Sequence, residues 1–439
     1  MRSISLCLVL VVSVGVTWLV AGIATAFIGE VWKDEKSENL WFLRFAYTLL
    51  GYSTIFLPGY IVVKYVTSRN LHREGGLRAK VLRLFLQGNT LEGEEVSNCE
   101  NDTHNEAESK ATRSLYQKAI LLATCCAGLQ LSYLSWGVLQ EKIMTQEYTD
   151  ETGHVEKFTD SQFLVFVNRI LAFFFSGIYL LVTTQSVHTT PLYKYSFCSV
   201  SNTLSSWCQY EALKFISFPT QVLAKSGKVI PVMLMGKLIS QTRYKKYEYV
   251  TALLMSVGMA AFLLGSPAGD KGSTVTTLSG VVLLCGYLVF DSFTANWQSA
   301  LFKEHKPSSV QMMCGVNFMS CLLTSVSLVQ QGGFFYSLSF ASRYPRFVID
   351  CLLTAVTSAS GQLFIFVTIA YFGAVVFTII MTVRQALSIL LSCLLYRHSL
   401  SIASVFGIAT VFAAIFLRMY LSQKHKSSRP APDSNASKV

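Results

Sequence analysis

Three cationic side chains stand inside long apolar stretches of this chain. Lys225 and Lys228 lie in the stretch 218–240, and Arg384 lies in the stretch 373–396. A cation at the centre of a bilayer costs about 2.5–3.5 kcal/mol on insertion scales, so such a charge needs an anion or water beside it. Two lysines at this spacing share one face of a helix, and an arginine can hold phosphate or sulfate through two hydrogen bonds. The three residues predict a site for a ligand that carries several negative charges.

Internal ion pairing is the alternative interpretation of these cations. Glu211 and Asp291 are the two clear acidic residues deep in the apolar core stretches. They could neutralise part of the cationic set, and removing one partner of such a pair would then destabilise the protein. Both interpretations stay open at this point.

Uncharged polar side chains recur inside the same apolar stretches. Such side chains often join membrane helices by hydrogen bonds worth about 0.6 kcal/mol each. As a set, they would instead outline a wet central cavity. Together with the three cations, the candidates for substrate binding are Gln130, Tyr133, Gln209, Tyr210, Asn296, Asn317, Gln362 and Gln385.

The elements that position these residues are predicted to be transmembrane helices. Of the 439 residues, 52% are hydrophobic and 14% are charged, and apolar runs of about 20 residues, long enough to cross a bilayer, recur along the chain. Core spans are predicted near 115–140, 162–184, 194–215, 218–240, 248–265, 276–301, 310–330, 347–371, 373–396 and 400–421, with two earlier ones at 4–28 and 41–66. The net charge of +11 resides in short loops and tails beside the spans, which indicates topology and not nucleic-acid binding.

The spans divide the chain into predicted segments. Residues 1–28 are a signal anchor or a signal peptide, 29–66 hold an extra N-terminal span, and 67–114 form a polar cytosolic linker. Two five-helix repeats follow at 115–265 and 276–421, before a disordered cytosolic tail at 422–439. A repeat with an odd number of spans inserts its second copy upside down, as in many secondary transporters. The fourth span of each half carries the cations.

The eleven cysteines indicate neither disulfides nor metal binding. Most of them lie inside predicted spans, and the chain contains no CxxC pair. Small buried thiols are the expected state. No cofactor and no metal site are predicted.

Several segments closely resemble the nucleotide-sugar transporter family, solute carrier family 35. They are residues 41–60, 205–238, 278–298, 308–322 and 361–396. The resemblance implies an all-α, ten-helix drug/metabolite-transporter fold with an inverted five-plus-five repeat. It also implies exchange of a cytosolic nucleotide-linked donor for a lumenal nucleotide product, in a multi-pass protein of the Golgi membrane surrounded by lipid.

The resemblance also suggests which donor is carried. Nucleotide-sugar carriers in the family have a Tyr-Asn-Asn element in the seventh span and a Gly-Ala-Leu-Asn-Lys element in the ninth. Here the first resembles Gly315-Val316-Asn317, and the second is replaced around Thr382-Val383-Arg384-Gln385. The closest resemblance implies that the donor is 3'-phosphoadenosine 5'-phosphosulfate, exchanged for adenosine 3',5'-bisphosphate and consumed by lumenal sulfotransferases. An arginine in place of lysine suits this more anionic ligand.

Two further functions stay open from the sequence. The first is transport of another nucleotide conjugate, such as a nucleotide sugar. The second is a membrane-embedded transferase, which would need an acid, a base or a nucleophile close to the cations. Nucleic acid is not an expected partner, and a homo-oligomer is left open.

Overall fold

The computed structural model describes most of the chain from residue 40 onward. The described residues are 12, 15, 40–68, 77–86, 115–149, 155–158, 160–183, 188–212, 215–216, 221, 224–225, 227–265, 278–330, 333–395 and 402–427. Nearly all of the predicted leader at 1–28, most of the linker at 67–114 and the tail from residue 428 lie outside them.

Within the described residues the chain is almost entirely helical. The helices are α1 (Leu40–Ser68), α2 (Leu77–Leu86), α3 (Leu115–Thr145), α4 (Ser161–Val182), α5 (Tyr193–Ala212), α6 (Val229–Ser240), α7 (Lys246–Gly265), α8 (Leu278–Glu304), α9 (Ser309–Gln330), α10 (Gly333–Arg343), α11 (Pro345–Leu395) and α12 (Ile402–Ser427). A short antiparallel hairpin of β1 (Glu147–Thr149) and β2 (Val155–Lys157) connects α3 to α4. The sequence analysis predicted neither this hairpin nor helix α10.

Five segments of the described helices are long and apolar enough to cross a bilayer. A helix rises 1.5 Å per residue, so about 20 residues span the roughly 30 Å of hydrocarbon. The five segments are Tyr116–Gln140, Gln162–Val182, Leu278–Glu304, Ser309–Val329 and Pro345–Arg384. The prediction of a multi-pass helical membrane protein is confirmed.

Helix α11 changes direction at Gly373. This residue has φ 81° and ψ 171°, outside the helical region. Side chains strongly disfavour a positive φ, so glycine is the residue suited to this position. A Cβ atom built there would lie 3.9 Å from Ser299 Oγ, so the backbone conformation, and not space, imposes the requirement.

The stretch 218–240 is not one continuous helix among the described residues. Helix α6 begins at Val229 and is preceded by tight turns, in which Gly227 N donates to Ala224 O and Lys228 N donates to Lys225 O, both at 3.2 Å. Pro231 falls in the first turn of α6, where its missing N–H breaks no helical hydrogen bond. The two lysines nevertheless stay one turn apart, since residues joined by a three-residue turn lie one above the other.

The chain forms two compact units. Unit 1 comprises Met1–Leu204 and Trp297–Gly373, and unit 2 comprises Ser205–Asn296 and Ala374–Val439. In unit 1, α4 packs along α9, and α1 also contacts α9. In unit 2, α7 packs along α12, and α6 contacts α7.

An aromatic cluster closes one end of unit 1, at the β-hairpin. Tyr148 and Phe158 pack against Phe340, Tyr344 and Phe347, and all five side chains are buried. The ring centroids of Phe158 and Phe347 are 4.5 Å apart, as are those of Phe340 and Tyr344. Aromatic pairs at such distances contribute about 0.5–1.5 kcal/mol beyond the area they bury.

Polar contacts fix the same end of unit 1. Lys142 forms an ion pair of 2.8 Å with Asp350, and the Tyr148 hydroxyl donates to the other oxygen of that carboxylate at 3.1 Å. Asp160 caps α4 by accepting from Gln162 N and Phe163 N at 3.0 and 3.2 Å. These contacts join the hairpin to the ends of α3, α4 and α11.

Close backbone contact characterises the main helix pair of unit 2. A Cβ atom on Gly258 of α7 would lie 2.9 Å from Gly407 O, and one on Gly407 of α12 would lie 2.5 Å from Gly258 O. Small residues at a membrane helix interface allow this approach, and the pair then gains van der Waals contact that lipid cannot replace.

The cysteines in the described part of the chain are unpaired. Of the eight described, Cys285 is exposed and the others are buried or partly buried. No cluster of three or more metal-ligating side chains exists among the described residues.

Candidate functional site

The predicted cations come together in unit 2. Lys228 forms an ion pair with Asp291 of α8. The Lys225 ammonium lies 5.6 Å from the centroid of the Tyr287 ring, one helical turn before Asp291. Arg384 of α11 is within electrostatic range of Lys225. We call Lys225, Lys228, Arg384 and Asp291 the cation cluster.

The cation cluster carries a formal charge of +2, from three cations and one carboxylate. Lys228 is the N-cap residue of α6 and makes no side-chain capping hydrogen bond. The first N–H groups of α6 are partly used, since Ile230 N donates to Gly227 O and Pro231 has no N–H. A phosphate or sulfate group would therefore be attracted mainly by the side chains of the cluster.

The ion pair of Lys228 with Asp291 agrees with part of the internal-pairing interpretation. The side chains of Lys228 and Asp291 are 14% and 23% exposed, so the pair is largely removed from solvent. Glu211, the second acid of that interpretation, is buried on α5. Within the cation cluster, three cations accompany one carboxylate.

Two of the predicted polar residues of unit 2 join backbone segments. Asn296 Nδ2 donates to Val232 O of α6 at 2.8 Å and to Ser292 O at 2.9 Å. Both amide hydrogens are thus used, and Asn296 holds α8 against α6. Gln209 contributes its backbone carbonyl, which accepts from Gln221 Nε2 at 2.7 Å. These contacts match the helix-joining role that the sequence analysis considered for such residues.

Unit 1 gathers a second set of polar side chains, which we call the amide network. Arg169 of α4 donates through Nη1 to Asn317 Oδ1 of α9 at 3.5 Å. Asn317 Nδ2 donates to Gln362 Oε1 of α11 at 2.8 Å and to Met313 O at 2.8 Å. Gln362 Nε2 in turn contacts Ser358 Oγ at 3.4 Å. Asn317 and Gln362 are both buried.

The predicted residues of α3 lie at the contact between α3 and α11 in unit 1. Ser132 Oγ and Ser360 Oγ are 3.0 Å apart, and a Cβ atom on Gly361 would come within 3.1 Å of the Tyr133 ring. Tyr133 is also within electrostatic range of Arg169. Gln130 is partly buried on the same helix.

Two predicted site residues remain without a structural account, and two others were missed. The side chains of Tyr210 and Gln385 lie outside the described residues. The sequence analysis did not select Arg169 or Tyr287, which contact the predicted residues. Arg169 carried the same signal as Arg384, a cation inside an apolar stretch, whereas a tyrosine among 20 tyrosines carried none.

Apolar spanning helices that bear buried cations and hydrogen-bonded amides are typical of membrane transporters, in which such groups mark the path of the substrate. The sequence profile of the UAA transporter family matches residues 121–422. This chain belongs to the UAA transporter family. Its class is thereby settled as a transporter and not an enzyme, and the embedded-transferase alternative is set aside.

Similar proteins cover almost the whole chain. Adenosine 3'-phospho 5'-phosphosulfate transporter 1 of Drosophila melanogaster is 50% identical over 417 residues, which are 94% of this chain and 90% of that protein. The protein of the same name from Homo sapiens is 50% identical over 90% of this chain and 92% of its own length. UDP-galactose/UDP-glucose transporter 5 of Arabidopsis thaliana is 37% identical over 75% of this chain and 94% of its own length.

Proposed function

We propose that this chain moves 3'-phosphoadenosine 5'-phosphosulfate from the cytosol into the Golgi lumen. The proposal rests on 50% identity over 417 residues to a protein named for transport of that donor. Adenosine 3',5'-bisphosphate, the product left after sulfate transfer, is the proposed exchange partner. This assignment would make the chain the source of activated sulfate for lumenal sulfotransferases.

The cation cluster is the proposed anion site for this substrate. The donor carries a 3'-phosphate and a 5'-phosphosulfate, and the planar fork of Arg384 suits either group. Lys225 and Lys228 supply two further ammonium groups on one turn. Asp291 pairs with Lys228, so a phosphate would compete with this carboxylate for the ammonium group. The uncharged candidates of the amide network and of α3, α5, α8 and α11 remain predictions.

The ten-span inverted repeat is part of the same proposal. In the predicted numbering, α4 and α9 are the second spans of the two halves, and α7 and α12 are the fifth spans. Among the described residues, α4 packs along α9 within unit 1, and α7 packs along α12 within unit 2. In an inverted repeat, a helix near the pseudo-two-fold axis packs against the equivalent helix of the other half. The pairing of α4 with α9 and of α7 with α12 therefore favours the repeat.

Transport by purified full-length chain in liposomes tests the substrate assignment. Vesicles loaded with adenosine 3',5'-bisphosphate should take up labelled 3'-phosphoadenosine 5'-phosphosulfate faster than empty vesicles do. Labelled UDP-galactose provides the matched comparison, because a relative at 37% identity is named for that substrate. Preferential uptake of UDP-galactose would overturn the assignment, and equal uptake by loaded and empty vesicles would remove the exchange step alone.

The Golgi assignment has a separate test. A tagged full-length chain in cells should coincide with a marker of the Golgi membrane and with no marker of the plasma membrane or of mitochondria. Residence in another compartment would leave the substrate assignment intact and change the reaction that the donor supplies.

A further inference from the structure

Arg169 is a cation well inside a spanning segment. It lies seven residues after the start of Gln162–Val182 and thirteen before its end. At 1.5 Å per residue, these separations are about 10 and 20 Å. A cation at such depth is costly unless a partner or a polar cavity faces it.

The partners of Arg169 are neutral. Its hydrogen bond within the described residues goes to Asn317 Oδ1, and no carboxylate there lies within ion-pairing distance of it. Tyr133 and Cys321 are its electrostatic neighbours. The positive charge is therefore solvated by one amide oxygen and is not neutralised.

The geometry leaves most of the guanidinium available. The group has five N–H donors, and among the described residues only Nη1 makes a hydrogen bond, at 3.5 Å. The side chain is only partly buried. Asn317 is itself held in place by its bonds to Gln362 Oε1 and Met313 O, so its oxygen is fixed toward Arg169. The result is an oriented fork with free donors, which suits bidentate contact with a phosphate or sulfate.

We infer that Arg169 binds a phosphate or sulfate group of the transported nucleotide, with Asn317 as the positioning residue that orients the guanidinium. This inference deepens the proposed function and rests on it. It adds an anion-binding residue in unit 1 that is separate from the cation cluster. The competing role is structural, in which Arg169 only joins α4 to α9.

The anion-binding role and the structural role of Arg169 predict different effects of ligand charge on affinity. Full-length Arg169→Gln and Arg169→Lys proteins are reconstituted and assayed for uptake of labelled 3'-phosphoadenosine 5'-phosphosulfate. Adenosine 3',5'-bisphosphate and adenosine, which has no phosphate, serve as competitors. A charge-assisted contact of this kind corresponds to about 10- to 150-fold in affinity. Arg169→Gln should lose about that factor toward the bisphosphate and little toward adenosine. Arg169→Lys should recover part of it, because it keeps the charge without the fork.

Arg346→Gln is the matched control, since Arg346 is exposed at the start of α11 in the same unit. It should behave as the unmodified chain. If the unmodified chain takes up no phosphosulfate donor, the proposed function fails. If it does, and both Arg169 variants keep their affinities, or lose affinity equally for both competitors, the inference is overturned while the proposed function stands.

A lipid headgroup phosphate is the other source of the same chemistry. Thermal stability measured in vesicles with and without phosphatidylinositol distinguishes it. Stabilisation by this lipid that disappears in Arg169→Gln, with nucleotide affinity unchanged, would assign the contact to lipid and overturn the inference. Where Arg169→Gln does not fold, Arg169→Lys carries the test, and unchanged discrimination between the two competitors overturns the inference.

Discussion

The two units treat buried polarity in different ways. In unit 1, Asn317 and Gln362 bond to each other, and Arg169 bonds to Asn317. In unit 2, Lys228 pairs with Asp291, and the cluster of Lys225, Lys228, Arg384 and Asp291 has a formal charge of +2. The paired amides of Asn317 and Gln362 largely satisfy each other, whereas an excess of like charge is stable only with a counter-charge. The difference indicates that unit 2 contributes the stronger electrostatic attraction for an anionic ligand.

The acidic side chains named above also have different roles in the two units. In unit 1, Asp160 caps a helix, Asp350 pairs with Lys142, and Glu156 accepts from the Tyr336 hydroxyl at 2.8 Å, all beside the hairpin. In unit 2, Asp291 stands among the cations. Acidic groups thus stabilise one end of unit 1 but moderate a cluster in unit 2. Substitutions in the two units should accordingly change different measured quantities.

The largest effect is expected at Lys225 in unit 2. Its described contacts are a tyrosine ring and neighbouring charges, and no carboxylate of the described residues lies within ion-pairing distance of it. Lys225→Gln should lower affinity for the phosphosulfate donor by about 10- to 150-fold with little change in melting temperature. Lys237→Gln, an exposed change on α6, is the control. Full activity of Lys225→Gln would remove the contrast between the units.

Substitutions at Lys228 and Asp291 should affect thermal stability and transport differently. Lys228→Gln leaves Asp291 without its partner, so stability should fall, and Asp291→Asn in the same chain should restore it. Contacting pairs have interaction energies of about 0.5–3 kcal/mol, which a double-mutant cycle on thermal stability would measure. Donor affinity should remain low in the double variant. Recovery of transport together with stability would mean that the pair is purely structural.

Asn296 and Gln362 test whether amides in the two units play the same part. Asn296→Leu removes the bond to Val232 O, and Gln362→Leu removes the acceptor of Asn317 Nδ2. Each should destabilise the protein by about 1–3 kcal/mol through a polar group left unsatisfied. Asn296 remains a candidate substrate contact, so donor affinity of the folded variant is measured as well. A large loss of donor affinity in that variant would place Asn296 at the substrate.

The smallest effect concerns the hairpin end of unit 1 and depends on pH. Burial and the Asp350 carboxylate raise the pKa of Tyr148. The folded protein therefore holds this proton more tightly than the unfolded chain, whose tyrosine has a pKa of about 10. Stability from the neutral phenol is complete below about pH 10 and declines as the pH rises above it.

Tyr148→Phe isolates this contribution. The variant loses the bond to Asp350 and should be less stable at pH 7 by about 1 kcal/mol. It should also show a shallower fall of melting temperature between about pH 10 and pH 11.5 than the unmodified chain. Parallel curves for the two proteins would show that another group controls the alkaline loss.

The helical membrane fold could be predicted because it depends on composition, and the three cations could be selected because each is an isolated charge in an apolar stretch. Runs of about 20 apolar residues have few alternatives to a spanning helix. The start of α6 at Val229 was harder to foresee, since the surrounding packing determines whether glycine and proline residues break a helix. The pairing of Lys228 with Asp291 was predicted only as one of two alternatives, because sequence spacing does not specify which helices pack together.

Other features gave weaker sequence signals. The hairpin at Glu147–Thr149 consists of two three-residue strands, too short for an alternating pattern. Its place is fixed by burial of Tyr148 and Phe158 among aromatic residues that lie about 180 residues later in the chain. Arg169 was overlooked although it interrupts an apolar run as Arg384 does. The signal was present, and two neighbouring lysines gave a stronger one.

The single exposed thiol of the described chain gives the protein a native reporter of its surroundings. Cys285 lies on α8 between Val281 and Val289, each one turn away and also exposed. In a bilayer this stripe meets acyl chains, which charged, water-soluble reagents do not enter. A lipid-soluble maleimide should reach it, whereas a charged one should not. Labelling by the two reagents would therefore record, without any engineered residue, whether α8 has entered the bilayer.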